Sequence, residues 1–264
     1  MYMEIFDDQR LNQLVDTITR AGDVLLSYWP GSSSSLERLS SDIVQKSDGS
    51  PVSTADLKSN ELLSREIATI FPEDILFSEE TAIEPERVRQ SMRTWIIDPL
   101  DGTAAFLSGR DDFAILVGLC ESYRPTVGMM YFPARQEFAI AREGRGATLN
   151  GTPLRVSVTS HCRQGGVYIR NFECTRPEVA SPAMDSSLAL LKVAKGELDA
   201  AVIRMTTHRE WDIAAPMALI REAGGTITDE KGDEIRCGLG GVSFGCFVAS
   251  NGRLHQEVLA LIPS

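Results

Sequence analysis

Residues 95–103 read WIIDPLDGT, and the chemistry of the chain turns on them. Trp95, Ile96 and Ile97 form an apolar, β-branched run that predicts a buried strand. Asp98 is expected to fall where that strand ends, because Pro99 cannot continue a central strand and forces a turn. Such a turn can swing Asp101 to the side that Asp98 faces, although residues three apart in an extended chain point oppositely. Two converging carboxylates repel each other unless something positive lies between them, and a divalent cation is the usual remedy. Gly102 and Thr103 open the segment TAAFLSG, expected to be a helical turn ending at Gly109. Its free N–H groups would make an anion site beside the metal. A metal next to a phosphate cradle is the layout of a phosphoryl-transfer enzyme. For DPLD alone the other reading is an acidic surface turn, since Asp-Pro and Asp-Gly are common turn dipeptides.

Composition narrows the classes. With 264 residues, 43% apolar and 24% charged, the chain has the makings of a soluble protein with a substantial core. A formal net charge of −11 argues against nucleic-acid backbones and anionic membranes as partners. The opening MYMEIFDDQR is acidic and lacks an apolar core, which reads against a signal peptide, and no stretch approaches the length of a membrane span. The five cysteines are scattered, odd in number and without CxxC spacing, as expected of free thiols in a reducing compartment. His161, His208 and His255 are too far apart in sequence to suggest zinc. The expected location is the cytoplasm.

Apolar spacing predicts a helix over residues 8–28 with Gly22 inside it, a Ser-rich loop from 31 to 42, and a second helix after Thr54 that Pro72 stops. In that second helix Leu57, Glu61, Leu62, Ile67 and Ile70 follow the helical pattern. ILFSEE reads as a short strand running into paired acids. FAILVGLCE, TVGMMYF, EFAIARE and ATLN come next, separated by Pro and Gly turns and closed by Asn150-Gly151, an antiparallel meander. From about residue 151 strands alternate with helices. The expected architecture is therefore an α+β half, 1–150, packed closely on an α/β half, 151–264.

Three more acidic segments carry information only in combination. SPVSTAD ends in Asp56 at a helix start, FSEE places Glu79 and Glu80 at a strand end, and REWDIAAPMALIREAGG places Asp212 near a helix start with Gly224-Gly225 as its stop. Singly, these are equally well helix caps or exposed turns. In this order, SPVSTAD, SEE, WIIDPLDGT, EGRGATLNG and WDIAAPMALIREAGG resemble the inositol monophosphatase superfamily of lithium-sensitive, magnesium-dependent phosphatases, over about residues 46 to 225.

The resemblance implies a layered αβαβα sandwich, as in inositol monophosphatase and fructose-1,6-bisphosphatase, and a ligand set. Glu79, Asp98 and the Leu100 carbonyl would hold a first Mg²⁺, and Asp98, Asp101 and Asp212 a second, with a third, weaker ion near Glu79. Oxygen-only ligation suits Mg²⁺ whatever the family. The backbone N–H groups of Gly102 and Thr103 would bind phosphate, while Asp56 and the Thr103 hydroxyl would position and activate water. Lys46 matches a family lysine near the metals, with a solvated loop lysine as the other reading. A small phosphorylated metabolite is the implied partner, and a homodimer is an expectation carried over from relatives.

Within the superfamily the spelling is most similar to the 3'(2'),5'-bisphosphate nucleotidase branch, which converts adenosine 3',5'-bisphosphate to AMP and phosphate. Against an inositol phosphatase stands Met205, at the position of a glutamate that contacts inositol hydroxyls. The chain also departs from the nucleotidases. Ala104-Ala105 replaces Lys-Glu, DSSLA puts Ala189 in place of a lysine, and residues 160–186 are short enough to suggest a reduced or missing helix. Arg170 and Arg204 sit near arginines of that branch, and either could meet a second phosphate. An inositol or sugar phosphatase is the alternative, and a non-catalytic metal-binding scaffold the reading from another class.

Overall fold

A computed structural model describes residues 7–31, 43–45, 51–161, 166–171, 179–180 and 183–262. Helix α1 (Asp8–Tyr28) is capped by the Asp7 side chain, which accepts from the Arg10 amide at 2.7 Å. A small ribbon, β1 (Ile43–Gln45) antiparallel to β2 (Pro51–Ser53), leads into α2 (Thr54–Ile70). The chain continues through β3 (Ile75–Ser78), α3 (Pro85–Arg89), β4 (Arg93–Asp101), α4 (Thr103–Leu107), β5 (Ala114–Glu121), β6 (Arg124–Phe132), β7 (Glu137–Arg142), β8 (Gly146–Leu149) and β9 (Thr152–Pro153). Then come β10 (Val167–Arg170), β11 (Val179–Ala180), α5 (Ser186–Ala194), β12 (Ala200–Arg209), α6 (Glu210–Glu222), β13 (Thr226–Asp229), β14 (Ser243–Ser250) and α7 (His255–Leu259).

Strands β3 to β9 lie side by side in chain order as one seven-stranded sheet. Only the β3–β4 pair is parallel; the rest is the meander that the turn spacing predicts. Asn150 and Gly151 both adopt positive φ, 47° and 80°, which is what a two-residue hairpin turn requires. The second sheet runs β11-β10-β12-β14-β13. Between residues 160 and 185 the described segments include strands β10 and β11 and no helix.

Alternation along each strand sorts the apolar side chains into three cores. Trp95, Ile97, Ile115, Val117 and Met129 point one way and pack on α1 and α2. Ile96, Leu116 and Met130 point the other way, onto α5 and α6, which also meet Ile203, Phe247 and Ala249 of the second sheet. Val202 and Val248 face outward to Val258 of α7. The layers are thus helix, sheet, helix, sheet, helix, the expected sandwich, and its middle layer, α5 and α6, packs against both sheets. Such strands are buried on both faces, so they read in sequence as continuous apolar runs.

The helical faces differ in part from expectation. Leu57 is 47% exposed, while α2 buries Ala55, Asp56, Ser59, Leu63 and Ile67. That spacing turns its acidic first turn inward. Gly22 is not merely tolerated, because a Cβ there would stand 2.3 Å from the Tyr131 ring. On the other face of the sheet, Gly118 of β5 pairs with Gly128 of β6, and α6 lies directly on them. A Cβ on Gly128 would approach the Ala215 carbonyl oxygen to 2.3 Å. This close seat fixes α6, and with it Asp212, against β4 to β6. Among the described residues no helix is long and apolar enough to cross a membrane.

Candidate active site

The strand carrying WIIDPLD does not stop at Asp98. β4 runs on to Asp101, with Pro99 inside it. Asp98 pairs with Leu116 and Asp101 with Ala114, so three steps on β4 match two on β5. The extra residue is a β-bulge, and a bulge is where a sheet accommodates proline. The bulge reverses the facing of the residues beyond it, the effect that the sequence reading assigned to a turn, and both aspartates reach the same site. The Leu100 amide donates to Asp98 Oδ1 at 3.0 Å, and Ser59 Oγ on α2 donates to the Pro99 carbonyl at 2.9 Å.

Gly102 comes next, at φ 79°, as the residue entering α4. A side chain there would be strained twice, by that φ and by a Cβ lying 3.3 Å from Asp185 Cγ. Thr103 Oγ1 donates back to the Leu100 carbonyl at 3.2 Å.

Asp212 arrives on the first turn of α6. Its Oδ2 accepts from the Arg209 amide at 2.5 Å. Capping and site membership, alternatives in sequence, hold together, because a carboxylate has an oxygen for each. Among the described residues, oxygens of Asp98, Asp101 and Asp212 converge within 4.8 Å of one another. Asp101 Oδ2 is buried and has no hydrogen-bond partner among the described residues. Glu79 comes directly after β3, its amide bonded to the Ile97 carbonyl, and Asp56 is fully buried on α2.

The electrostatics are those of an acidic cluster short of positive charge. Burial pushes the Asp98 pKa well above the carboxylate range, and the charges of Glu79, Asp101, Asp212 and Asp56 add to it. Burial does the same to Asp101, helped by Asp185 and Asp212. Burial raises Asp212 to about 7, against the Arg209 amide, which favours its ionised form. Buried, mutually repelling carboxylates, one with an idle oxygen, fit a hard divalent cation.

A cleft of about 170 Å³ opens beside the cluster, lined by Asp101, Gly102, Thr103, Ala104 and Asp212 together with Arg170, Asp185, Ser186 and His208. Arg170 Nη1 bonds Ser186 Oγ at 2.9 Å and Asp185 Oδ2 at 3.3 Å. Asp185 is itself fixed by its amide, which donates to Asp112 Oδ2 at 2.6 Å, and Asp112 is gripped by both arms of Arg110.

The structure brings Asp98, Leu100, Asp101, Gly102, Thr103 and Asp212 together, with Arg170 lining the same cleft and Glu79 and Asp56 close enough to act on Asp98. Arg204 does not line the cleft; its side chain lies against Cys246 on the neighbouring strand. Lys46 lies outside the described residues, as does the side chain of Met205. Ala189 is fully buried in the middle core, where a lysine ammonium would find no solvent. Glu210, the glutamate of EWD, does not line the cleft: it is buried and accepts from the Leu239 and Gly241 amides at 2.6 and 2.5 Å. Sequence reading missed Asp185, Ser186 and His208. The first two had a signal, since Asp-Ser-Ser before an apolar run is a helix start. His208 had none.

Comparisons with known proteins agree with this geometry. The model of the inositol monophosphatase family matches residues 7–264. A histidinol-phosphatase of Chlorobaculum parvum is 30% identical, over 84% of this chain and 86% of its own length. A 3'(2'),5'-bisphosphate nucleotidase of Aggregatibacter actinomycetemcomitans is 28% identical, over 86% and 87%. The solved inositol monophosphatase of Thermotoga maritima superposes with a TM-score of 0.79 at 27% identity, covering 96% of each chain.

Proposed function

We propose that this chain, which belongs to the inositol monophosphatase family and is a phosphoric monoester hydrolase, removes the 3'-phosphate of adenosine 3',5'-bisphosphate or a closely similar nucleotide, with Mg²⁺. The observation that carries the chemistry is the convergence of Asp98, Asp101 and Asp212 beside Gly102 and Thr103. Glu79, Asp98, the Leu100 carbonyl, Asp101 and Asp212 would hold the metal ions. Once bound, Mg²⁺ would lower the pKa of a water and stabilise negative charge on the phosphoryl and leaving oxygens.

The protein's own groups do the rest. Gly102 and Thr103 offer backbone N–H groups to the phosphate. Asp56 accepts a proton from the attacking water, and the Thr103 hydroxyl, turned toward the Leu100 carbonyl, orients it. Arg170 lines the same cleft, where a second phosphate would meet a fork of donors. That arginine is the support for a bisphosphate over a monophosphate.

A second reading has its own observation. Asp185 lies on the same wall and offsets the charge of Arg170, which favours a substrate with one phosphate and a polar or cationic remainder, such as histidinol phosphate. Phosphate release from adenosine 3',5'-bisphosphate, histidinol phosphate, inositol 1-phosphate and fructose 1,6-bisphosphate, side by side with Mg²⁺, decides between them. A clear preference for the first is expected, and a preference for inositol 1-phosphate would sink the nucleotidase reading.

A further inference from the structure

We infer that His208 is a specificity-determining residue, whose ring nitrogen recognises an uncharged hydroxyl or amide on the leaving-group side of the substrate. The inference rests on the phosphatase reading of the cleft and concerns a lining residue that is not among the proposed metal ligands.

Three observations point there. His208 lines the cleft with Arg170, Asp185 and Ser186, in the same cavity as Gly102 and Thr103. It is 5% exposed, yet its Nδ1 has no hydrogen-bond partner among the described residues. A buried polar atom left unsatisfied is destabilising, a cost that a ligand hydroxyl or amide would recover. Third, the strand is distorted at this residue. Arg204 pairs with Cys246 and His208 with Phe244, so four steps on β12 match two on β14. Bulges of this kind re-aim side chains next to active sites.

The ring is held as well as aimed. It stands edge-on to Phe247, centroids 5.1 Å apart at 83°. Burial, with Arg170 nearby, lowers its pKa to about 4, so it is uncharged near neutrality. A neutral imidazole adds little to binding a second phosphate, which is Arg170's task. It suits a hydroxyl or an amide, to which it can donate or from which it can accept.

The test measures KM for adenosine 3',5'-bisphosphate and inositol 1-phosphate, and inhibition by inorganic phosphate, in the wild-type protein and in His208→Ala, His208→Asn and His208→Gln. Inorganic phosphate has no leaving group, so it reports the metal and phosphate side alone. His208→Ala is expected to raise KM for the better substrate about 5- to 30-fold. Phosphate inhibition should stay within about twofold, the resolution at which neighbouring effects are usually read. Asn, whose amide sits near the position of Nδ1, is expected to restore most of the loss, and Gln less. An unchanged KM in the alanine variant, or a phosphate inhibition that shifts with it, would overturn the assignment. So would a loss that neither amide restores, since that would reduce His208 to packing on Phe247. Should the alanine variant not fold, the Asn and Gln variants carry the comparison, and equal KM values overturn the inference. A wild-type protein that releases phosphate from none of the four phosphate esters proposed as substrates overturns the phosphatase reading together with this one. An active wild type with indifferent variants overturns this one alone.

Discussion

Gly118 of β5 stands directly opposite Gly128 of β6, and the two leave a bare patch on which α6 rests through Ala214, Ala215 and Ala218. The pair matters to chemistry because α6 carries Asp212. Gly128→Ala is expected to force α6 off the sheet, since its Cβ would meet backbone rather than a flexible side chain. Overpacking of this sort destabilises by about 1–3 kcal/mol. The same variant should need more Mg²⁺ for half-maximal activity, because Asp212 moves with the helix. Urea unfolding and a Mg²⁺ titration check both halves; lost stability with an unchanged Mg²⁺ requirement would uncouple α6 from the site.

Asp212 also sets a pH dependence. Burial raises its pKa from 3.8 to about 7 in the folded protein. Between those values the folded state holds a proton that the unfolded state has released, so this group makes stability fall as pH rises from about 4 to 7. Asn does not titrate and can still accept from the Arg209 amide. In EDTA, Asp212→Asn is therefore expected to gain melting temperature relative to wild type as pH goes from 5 to 8. With Mg²⁺ the order should reverse, because the bound ion stabilises the ionised wild type. A difference between the two proteins that does not change with pH would contradict the assigned shift.

Asp98 gives the sharpest kinetic expectation. It is buried among Glu79, Asp101, Asp212 and Asp56, each of which acts on its charge. Outer-shell partners of a metal are themselves typically worth about 10–100-fold, so if Asp98 is a ligand shared by two ions, as proposed, its removal should lose more than that. Asp98→Asn is expected to reduce Mg²⁺-dependent phosphate release beyond about a hundredfold while remaining folded, its amide oxygen still accepting from Leu100. Ca²⁺ should inhibit the wild type, since it takes looser, higher coordination than Mg²⁺. Retained activity in the variant, or activation by Ca²⁺ alone, would remove Asp98 from the metal site.

Legibility in sequence depended on how local each feature is. WIIDPLDGT exposes its strand, its carboxylates and its glycine within nine residues, so the convergence of Asp98 and Asp101 could be read, although the bulge that aligns them could not. Proline breaks strands in most contexts, and only pairing with β5 shows that Pro99 sits where the ladder already opens. The meander was legible because Asn150-Gly151 and the other turns carry their own chemistry. The rest of the cleft's lining was not. Arg170, Asp185 and His208 come from β10, the start of α5 and a distorted stretch of β12, and no periodicity links those three elements. Arg204 misled for the same reason, as its likeness in position to an arginine of the nucleotidase branch does not reveal which face of β12 it takes.

Arg170 is where substrate choice can be tested most directly. Its Nη1 bonds Ser186 Oγ and Asp185 Oδ2, and the guanidinium lines the cleft. If it takes the second phosphate of a nucleotide, Arg170→Lys keeps the charge but loses the planar fork, a loss of about 1.5–3 kcal/mol for a hydrogen bond to a charged group. That corresponds to a KM for adenosine 3',5'-bisphosphate raised about 10- to 100-fold. The KM for inositol 1-phosphate, which has no second phosphate, should stay within about threefold, a change under 1 kcal/mol. Equal losses on both substrates would mean that Arg170 serves to hold the start of α5 through Asp185 and Ser186. A selective loss on the bisphosphate would place recognition of the second phosphate on Arg170.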